Sequence, residues 1–308
     1  MSDSGPLPHT DLPSIDRLRM RSWLFAPGDS EKKMTKAAES AADIALLDLE
    51  DSVMPEAKPA AREAVAAFLG GRRGGQRLWV RINPLSSGET AADLDAIMPA
   101  RPGGVFLPKA EGREDVVALD AMLTECEIAN DIEVGLTKIA ALVTETPLAM
   151  FRCGDYAGEY PGSERLVAMS WGAEDLSSAL GARVQHRSDG SYMPTYELAR
   201  SFCLLGAVAA GAAPIETVMP EFRDLDALKD RAEMVRGQGF TGMLAIHPAQ
   251  IDVINAAFTP SSEEVAAARA VVQAFADNPG KGTIAINGQM YDLPHLKLAE
   301  RLLAEAAE

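Results

Sequence analysis

Three acids close the segment ALLDLEDSV, where Asp48, Glu50 and Asp51 follow a run of apolar residues. The same placement recurs along the chain. Short apolar runs end on Arg81 and Asn83, on Lys109 and Glu111, on Glu145, on Glu174 and Asp175, on Glu216 and on His247. A guanidinium, an ammonium and several carboxylates brought together could polarise a carbonyl, move a proton or hold a hard cation. In a strand, residues two apart share a face. Asp48 and Glu50 therefore share one, as do Arg81 and Asn83. Glu145 falls in phase with Ala141 and Val143, and Asp175 with Met169 and Trp171. If those phases point inward, the carboxylates converge on the guanidinium. Glu145 and Asp175 come from successive runs and would suit Mg²⁺, which takes one or two carboxylates and fills its octahedron with water and substrate oxygens. Zinc is not expected, because no His/Cys cluster accompanies them. Taken singly, each of these residues is as well explained by a loop cap or a surface ion pair. Their joint placement argues for a site.

The elements that must position them alternate strictly. Eight apolar runs, SWLFAPG, ALLDLED, RLWVRIN, GVFLPKA, IAALVTET, LVAMSWGAED, APIETVMP and GMLAIHP, read as strands. Helical periodicity predicts helices near 30–42, 58–69, 89–98, 113–126, 147–158, 194–209, 224–237 and 262–277. In the last of these Ser261 or Ser262 supplies the cap and two glutamates the first turn. Strand–helix alternation implies an all-parallel sheet, and eight units at this length close a (β/α)₈ TIM barrel whose sites form at the carboxyl ends of the strands. An open doubly wound sheet is the competitor, but FAPGDSEKK lacks the G-x-G-x-x-G fingerprint after the first strand. The expected organisation is a flexible amino terminus over 1–18, a barrel over 19–278 and a carboxyl-terminal lid over 279–308. In the lid, Asn287-Gly288 makes a two-residue hairpin turn and a helix runs from Pro294 to Ala307.

The 308 residues are 47% apolar and 24% charged, enough to bury a sizeable core, with a formal net charge of −16. That charge excludes a general nucleic-acid partner, which needs a basic face. Three cysteines, Cys126, Cys153 and Cys203, show neither metal spacing nor a disulfide framework, which points to a reducing, cytoplasmic setting. The amino end has no apolar core of a secretory signal, and no apolar run is long enough to span a membrane.

The stretches RSWLFAPGDSEKKMTKAAESAADIALLDLEDSV, VRINPL, FLPKAE, ETPLA, WGAEDLSSALG, AIHPAQIDVINAAFTPSSEEV and NGQMYDLPHLKLAERLL stand in one order from Arg21 onward. In them the chain resembles the citrate lyase beta-subunit-like CoA-ester lyases of the HpcH/HpaI aldolase superfamily, among them malyl-CoA, β-methylmalyl-CoA and citramalyl-CoA lyases. The resemblance implies a homotrimeric or homohexameric barrel enzyme that uses Mg²⁺, with Mn²⁺ as an alternative, on a CoA thioester and a 2-oxo acid. A malyl-CoA thioesterase, or a subunit needing an acyl-carrier partner, would share the scaffold. It implies Glu145 and Asp175 as metal ligands, Arg81 as the group that stabilises a thioester enolate, and Asp292 as the acid/base delivered to a neighbouring subunit. Asp292 stands two residues before Pro294 and can equally cap the helix that follows. Asp48 and Glu50 are expected one layer behind the metal, orienting Arg81 or holding water. Arg21, Lys32 and Lys33, near the first strand, are candidates for the CoA phosphates. Lys109 and Glu111 either line the site or pair with each other, and His247 is read as structural. Two departures stand out: Met243 where the family usually has lysine, and Leu148 and Met150 in the loop after Glu145, where a glycine is common.

Overall fold

A computed structural model describes residues 19–71 and 75–307. The segment expected to be flexible, 1–18, lies outside the described residues. Eight strands, β1 (Ser22–Pro27), β2 (Ile44–Asp48), β3 (Leu78–Arg81), β4 (Gly104–Leu107), β5 (Lys138–Leu142), β6 (Leu166–Ser170), β7 (Ala213–Glu216) and β8 (Gly242–Ala245), form a closed barrel. Every neighbouring pair is parallel, including β1 with β8. The helices α1 (Glu31–Glu39), α2 (Lys58–Gly70), α3 (Thr90–Ile97), α4 (Arg113–Ala129), α5 (Pro147–Arg152), α6 (Ala173–Leu180), α7 (Pro194–Ala210) and α8 (Leu225–Gln238) return the chain between strands. This is the (β/α)₈ TIM barrel that the alternation predicts.

One hydrophobic cluster draws on all eight strands and can therefore only fill the interior: Trp23, Ile44, Leu46, Trp79, Phe106, Ala140, Leu142, Ala168, Ile215 and Leu244. Trp23 meets Trp79 edge-on at 5.0 Å and Phe106 at 5.9 Å. Gly104 makes room for this stack, since a Cβ there would lie 2.5 Å from the Trp79 ring. Each indole N–H of this stack finds a carbonyl, Met20 O for Trp23 and Gln76 O for Trp79, so neither donor is left open. The interior phase continues into Asp48 on β2 and Arg81 on β3, two residues beyond Leu46 and Trp79.

The same cluster corrects the phases expected for β5 and β6. Ala140, Leu142 and Ala168 point inward, so Ala141, Val143, Met169 and Trp171 take the opposite, helix-facing side. Moreover β6 ends at Ser170, and Glu174 and Asp175 stand in the first turn of α6, a helix absent from the expected set. The polar end of LVAMSWGAED is therefore a helix start, where acids favour the dipole. Met243 is fully buried on β8 in the phase opposite Leu244, so it packs toward the helices and not into the barrel. Met150 is buried in α5 and Leu148 half exposed.

The chain divides into two compact units at Ile254/Asn255, within α9 (Ile251–Ala257). This moves the expected boundary of 278/279. The reason is a separate small core: α10 (Ser262–Ala276) buries Ala268, Val271 and Phe275 with Ile284 of β9 (Thr283–Ile286) and Ala299 of α11 (Leu293–Ala307). Ser261 caps α10 in a capping box with Glu264. β9 and β10 (Gln289–Asp292) pair antiparallel through Asn287 and Gly288, at φ 50° and 80°. Two successive positive φ angles make the hairpin turn that an Asn-Gly pair favours. Among the described residues no helix is long and apolar enough to cross a membrane.

Candidate active site at the carboxyl ends of the strands

Strand register builds the first contact. Asp48 and Arg81 are the last residues of adjacent strands and stand opposite each other in the ladder. The guanidinium grips the carboxylate with two bonds, Nε to Oδ1 and Nη2 to Oδ2, both 2.7 Å. Asp48 also accepts the amides of Glu50 at 2.9 Å and Ser52 at 3.1 Å. A carboxylate has about four acceptor sites, so these four bonds fill Asp48 and leave it nothing for a metal. Burial pushes Asp48 up, but the Arg81 charge and bonds outweigh it and hold the carboxyl below its ordinary range. Arg81 lies over the Phe25 ring at 4.8 Å, which ties it to the interior stack through Phe106.

Glu50 is buried and lies 3.0 Å from Arg81 Nη1. Its other oxygen takes the Lys109 ammonium. Desolvation raises the Glu50 carboxyl in spite of both cations. Beneath it, Lys58 Nζ donates to the carbonyls of Leu49 and Glu50 and to Asn83 Oδ1, pinning the turn that follows β2. Asn83 in turn anchors on Asp93.

Lys109 extends this network to the expected metal carboxylates. Its backbone N–H donates to Glu145 Oε2, and its ammonium stands 3.3 Å from Asp175 Oδ1. Glu145 is 3% exposed, pressed against Gly172, where a Cβ would come within 3.0 Å of Glu145 Cγ. Burial, then the charge of Asp175, raises its carboxyl well above the ordinary value. Lys109 thus touches both carboxylates, although one follows β5 in a loop and the other rides the first turn of α6. Among the described residues no group of three or more His, Cys, Asp or Glu is arranged to hold a metal. Glu145 and Asp175 are two hard oxygen donors in an acid-rich, partly buried place, a chemistry that could hold Mg²⁺.

Arg21 stands before β1 and grips Asp43, which stands before β2, so it belongs to the opposite end of the barrel and is withdrawn as a CoA ligand. Lys32 and Lys33 are exposed in the first turn of α1, just beyond the carboxyl end of β1. Glu111 pairs with Thr146 Oγ1 at 2.6 Å and not with Lys109. Glu174 accepts from Gln185, and Glu216 is a buried brace between Trp171 and Arg231. His247 caps the turn at 248–250 and stacks on Phe222 at 4.5 Å. In the second unit Asp292 ends β10 and meets His295 Nδ1 at 2.5 Å; the hydrogen bond from His295 lowers its carboxyl. The sequence reading missed the double role of Lys109 and the brace of Lys58.

A profile of the HpcH/HpaI aldolase/citrate lyase family matches residues 21–248. The chain belongs to the HpcH/HpaI aldolase/citrate lyase family. The solved CitE protein of Mycobacterium tuberculosis, in complex with magnesium, acetoacetate and coenzyme A, is 34% identical. Its TM-score is 0.79, with 95% of this chain and 100% of that one covered. Two relatives carry different activities at equal similarity. The (3S)-malyl-CoA thioesterase of Cereibacter sphaeroides is 32% identical over 93% of this chain and 94% of its own. The mitochondrial citramalyl-CoA lyase of Rattus norvegicus is 32% identical over 93% of this chain and 86% of its own.

Proposed function

We propose that this chain is a Mg²⁺-dependent CoA-ester lyase. It would cleave a 3-hydroxy-dicarboxyl-CoA such as malyl-, β-methylmalyl- or citramalyl-CoA, reversibly, to an acyl-CoA and a 2-oxo acid. The observation that carries the reading is the Arg81–Glu50–Lys109–Asp175–Glu145 network at the carboxyl end of the barrel, with acids in excess.

Glu145 and Asp175 would hold the Mg²⁺, which would supply Lewis acidity to the substrate. The 3-hydroxyl would give its proton to solvent water and become the carbonyl of the leaving oxo acid. The C2–C3 pair passes to C2, giving a thioester enolate. Arg81 would receive that charge: Asp48 takes two of its N–H directions, and Glu50 stands 3.0 Å from Nη1 as an ion pair without a hydrogen bond, so hydrogens on Nη1 and Nη2 are left for the thioester oxygen. Its orientation is set beforehand by the two-pronged grip of Asp48, so little reorganisation is needed. Asp292, delivered by the second unit of a neighbouring subunit in a trimer or hexamer, would protonate C2, or deprotonate acyl-CoA in the condensation direction. Lys32 and Lys33 remain candidates for the CoA phosphates.

The test is a panel of these CoA esters incubated with Mg²⁺ or EDTA. Glyoxylate or pyruvate with an acyl-CoA is the expected product. Free CoA with the intact hydroxy acid would replace this reading by the thioesterase, which the Cereibacter relative favours. Turnover that survives complete metal removal would end the role given to Glu145 and Asp175. Asp292→Ala should abolish turnover while leaving Mg²⁺ binding and the far-ultraviolet spectrum unchanged. Near-normal turnover in that variant takes the hairpin out of the mechanism.

A further inference from the structure

Lys109 follows β4 by two residues and has φ 53°, the left-handed region that a non-glycine residue rarely enters. Such strain gathers where the surroundings hold a residue to a task. Here one residue serves three carboxylates that follow three different strands. The main-chain N–H reaches Glu145 Oε2, and the side-chain ammonium reaches Glu50 and Asp175. Asp51 lies 3.6 Å from the same ammonium but is more than half exposed and well screened. Glu50 is buried and engaged by Arg81 as well, so the ammonium has a fixed anchor. Its hold on Asp175 is the looser arm, at 3.3 Å, with both side chains about 30% exposed.

We infer that Lys109 is the positioning residue of the Glu145–Asp175 pair, and that its ammonium is an internal counter-ion which a divalent cation must displace from Asp175. The inference rests on the reading of Glu145 and Asp175 as metal ligands. Its consequence has an uncommon sign. A residue that merely props up a site weakens ligand binding when removed. Removing a competing cation strengthens it, because the ion pair no longer has to be broken and a like charge is gone. The backbone N–H to Glu145 survives side-chain replacement, so Lys109→Met isolates the ammonium.

The experiment is a calorimetric Mg²⁺ titration of EDTA-stripped full-length protein, with no CoA ester present. Lys109→Met should bind Mg²⁺ about tenfold more tightly than wild type, the order of one partly exposed ion pair with its like-charge repulsion. Lys109→Arg, which restores a cation, should stay within about twofold of wild type. Without metal, Lys109→Met should unfold at a lower temperature, and saturating Mg²⁺ should close most of the gap. If that variant does not fold in EDTA, Lys109→Gln is titrated under the same expectation. Unchanged or weaker Mg²⁺ binding in the uncharged variant overturns the counter-ion role and leaves the ligand reading standing. A wild-type protein that binds no Mg²⁺, or one whose binding Glu145→Gln does not weaken, overturns both.

Discussion

Two arginines grip an aspartate between β1 and β2 or between β2 and β3, at opposite ends of one barrel. Arg21, before β1, holds Asp43 through Nε at 2.8 Å and Nη2 at 2.9 Å. Arg81, at the end of β3, holds Asp48 through the same two nitrogens at 2.7 Å. The local geometry is nearly the same, and the difference lies in what surrounds it. At the amino ends the Arg21 guanidinium meets the Asp43 carboxylate. At the carboxyl ends Asp48, Glu50, Glu145 and Asp175 face Arg81 and Lys109, two negative charges in excess when all are ionised. Burial and that crowding raise Glu50 and Glu145 while Asp48 is lowered. A two-pronged Arg–Asp pair is thus no mark of function by itself. An uncompensated charge beside it is, because buried charge needs a partner and a divalent cation supplies two units.

Removing one of the excess charges should have the largest effect. Glu145→Gln is expected to lose Mg²⁺ binding in calorimetry and to lower kcat by more than about 10³, since a catalytic metal contributes several kcal/mol to transition-state stabilisation. Retained Mg²⁺ binding in that variant would empty the comparison of its content. Next comes the group at the reacting oxygen. Arg81→Met should lower kcat by about 10² to 10³, the usual loss for an oxyanion donor, with Mg²⁺ affinity nearly unchanged. Asp48→Asn should act through Arg81. It keeps the shape but loses a charge-assisted grip worth about 1.5–3 kcal/mol, so kcat should fall about 10- to 100-fold. An Asp48→Asn effect equal to that of Arg81→Met would mean that Asp48 does more than orient the guanidinium.

The alternation of runs and helices carried the barrel, because period and order are local properties. It also carried the polar strand ends, and the phase of Asp48 and Arg81 follows the interior residues Leu46 and Trp79 directly. Beyond a strand's last hydrogen bond the phase argument has no physical basis. Glu145 and Asp175 meet through a loop and a helix turn, although the alternation from Val143 and Trp171 would have sent them outward. The helix α6 was hidden because Trp171 and Ala173 prolong the apolar run past Ser170. Lys109 was illegible for another reason: a positive φ at a lysine has no sequence signature, so neither the amide to Glu145 nor the reach to Asp175 could be read. Arg21 misled because proximity to β1 along the chain does not say at which end of the strand a residue stands.

The smallest expected effect on turnover is the one that sharpens the comparison most. Arg21→Ala removes a pair of the same geometry as Arg81–Asp48, and Asp43, about 10% exposed, loses its guanidinium. Leaving such a carboxylate short of a partner costs about 1–3 kcal/mol, read as a lower urea midpoint with an unchanged slope. Nothing of that loss should reach the carboxyl ends. β2 separates the two sites by its full length, Asp43 preceding it and Asp48 closing it, and sites so far apart with no shared partner act additively. So kcat should stay within about twofold of wild type at a temperature where both proteins are fully folded. Asp43→Asn should behave alike, and the double variant should lose little more than either single one, since the pair is already broken. A kcat for Arg21→Ala that fell as far as that of Asp48→Asn would show the barrel transmitting strain from end to end, and the contrast between its two ends would then be one of position only.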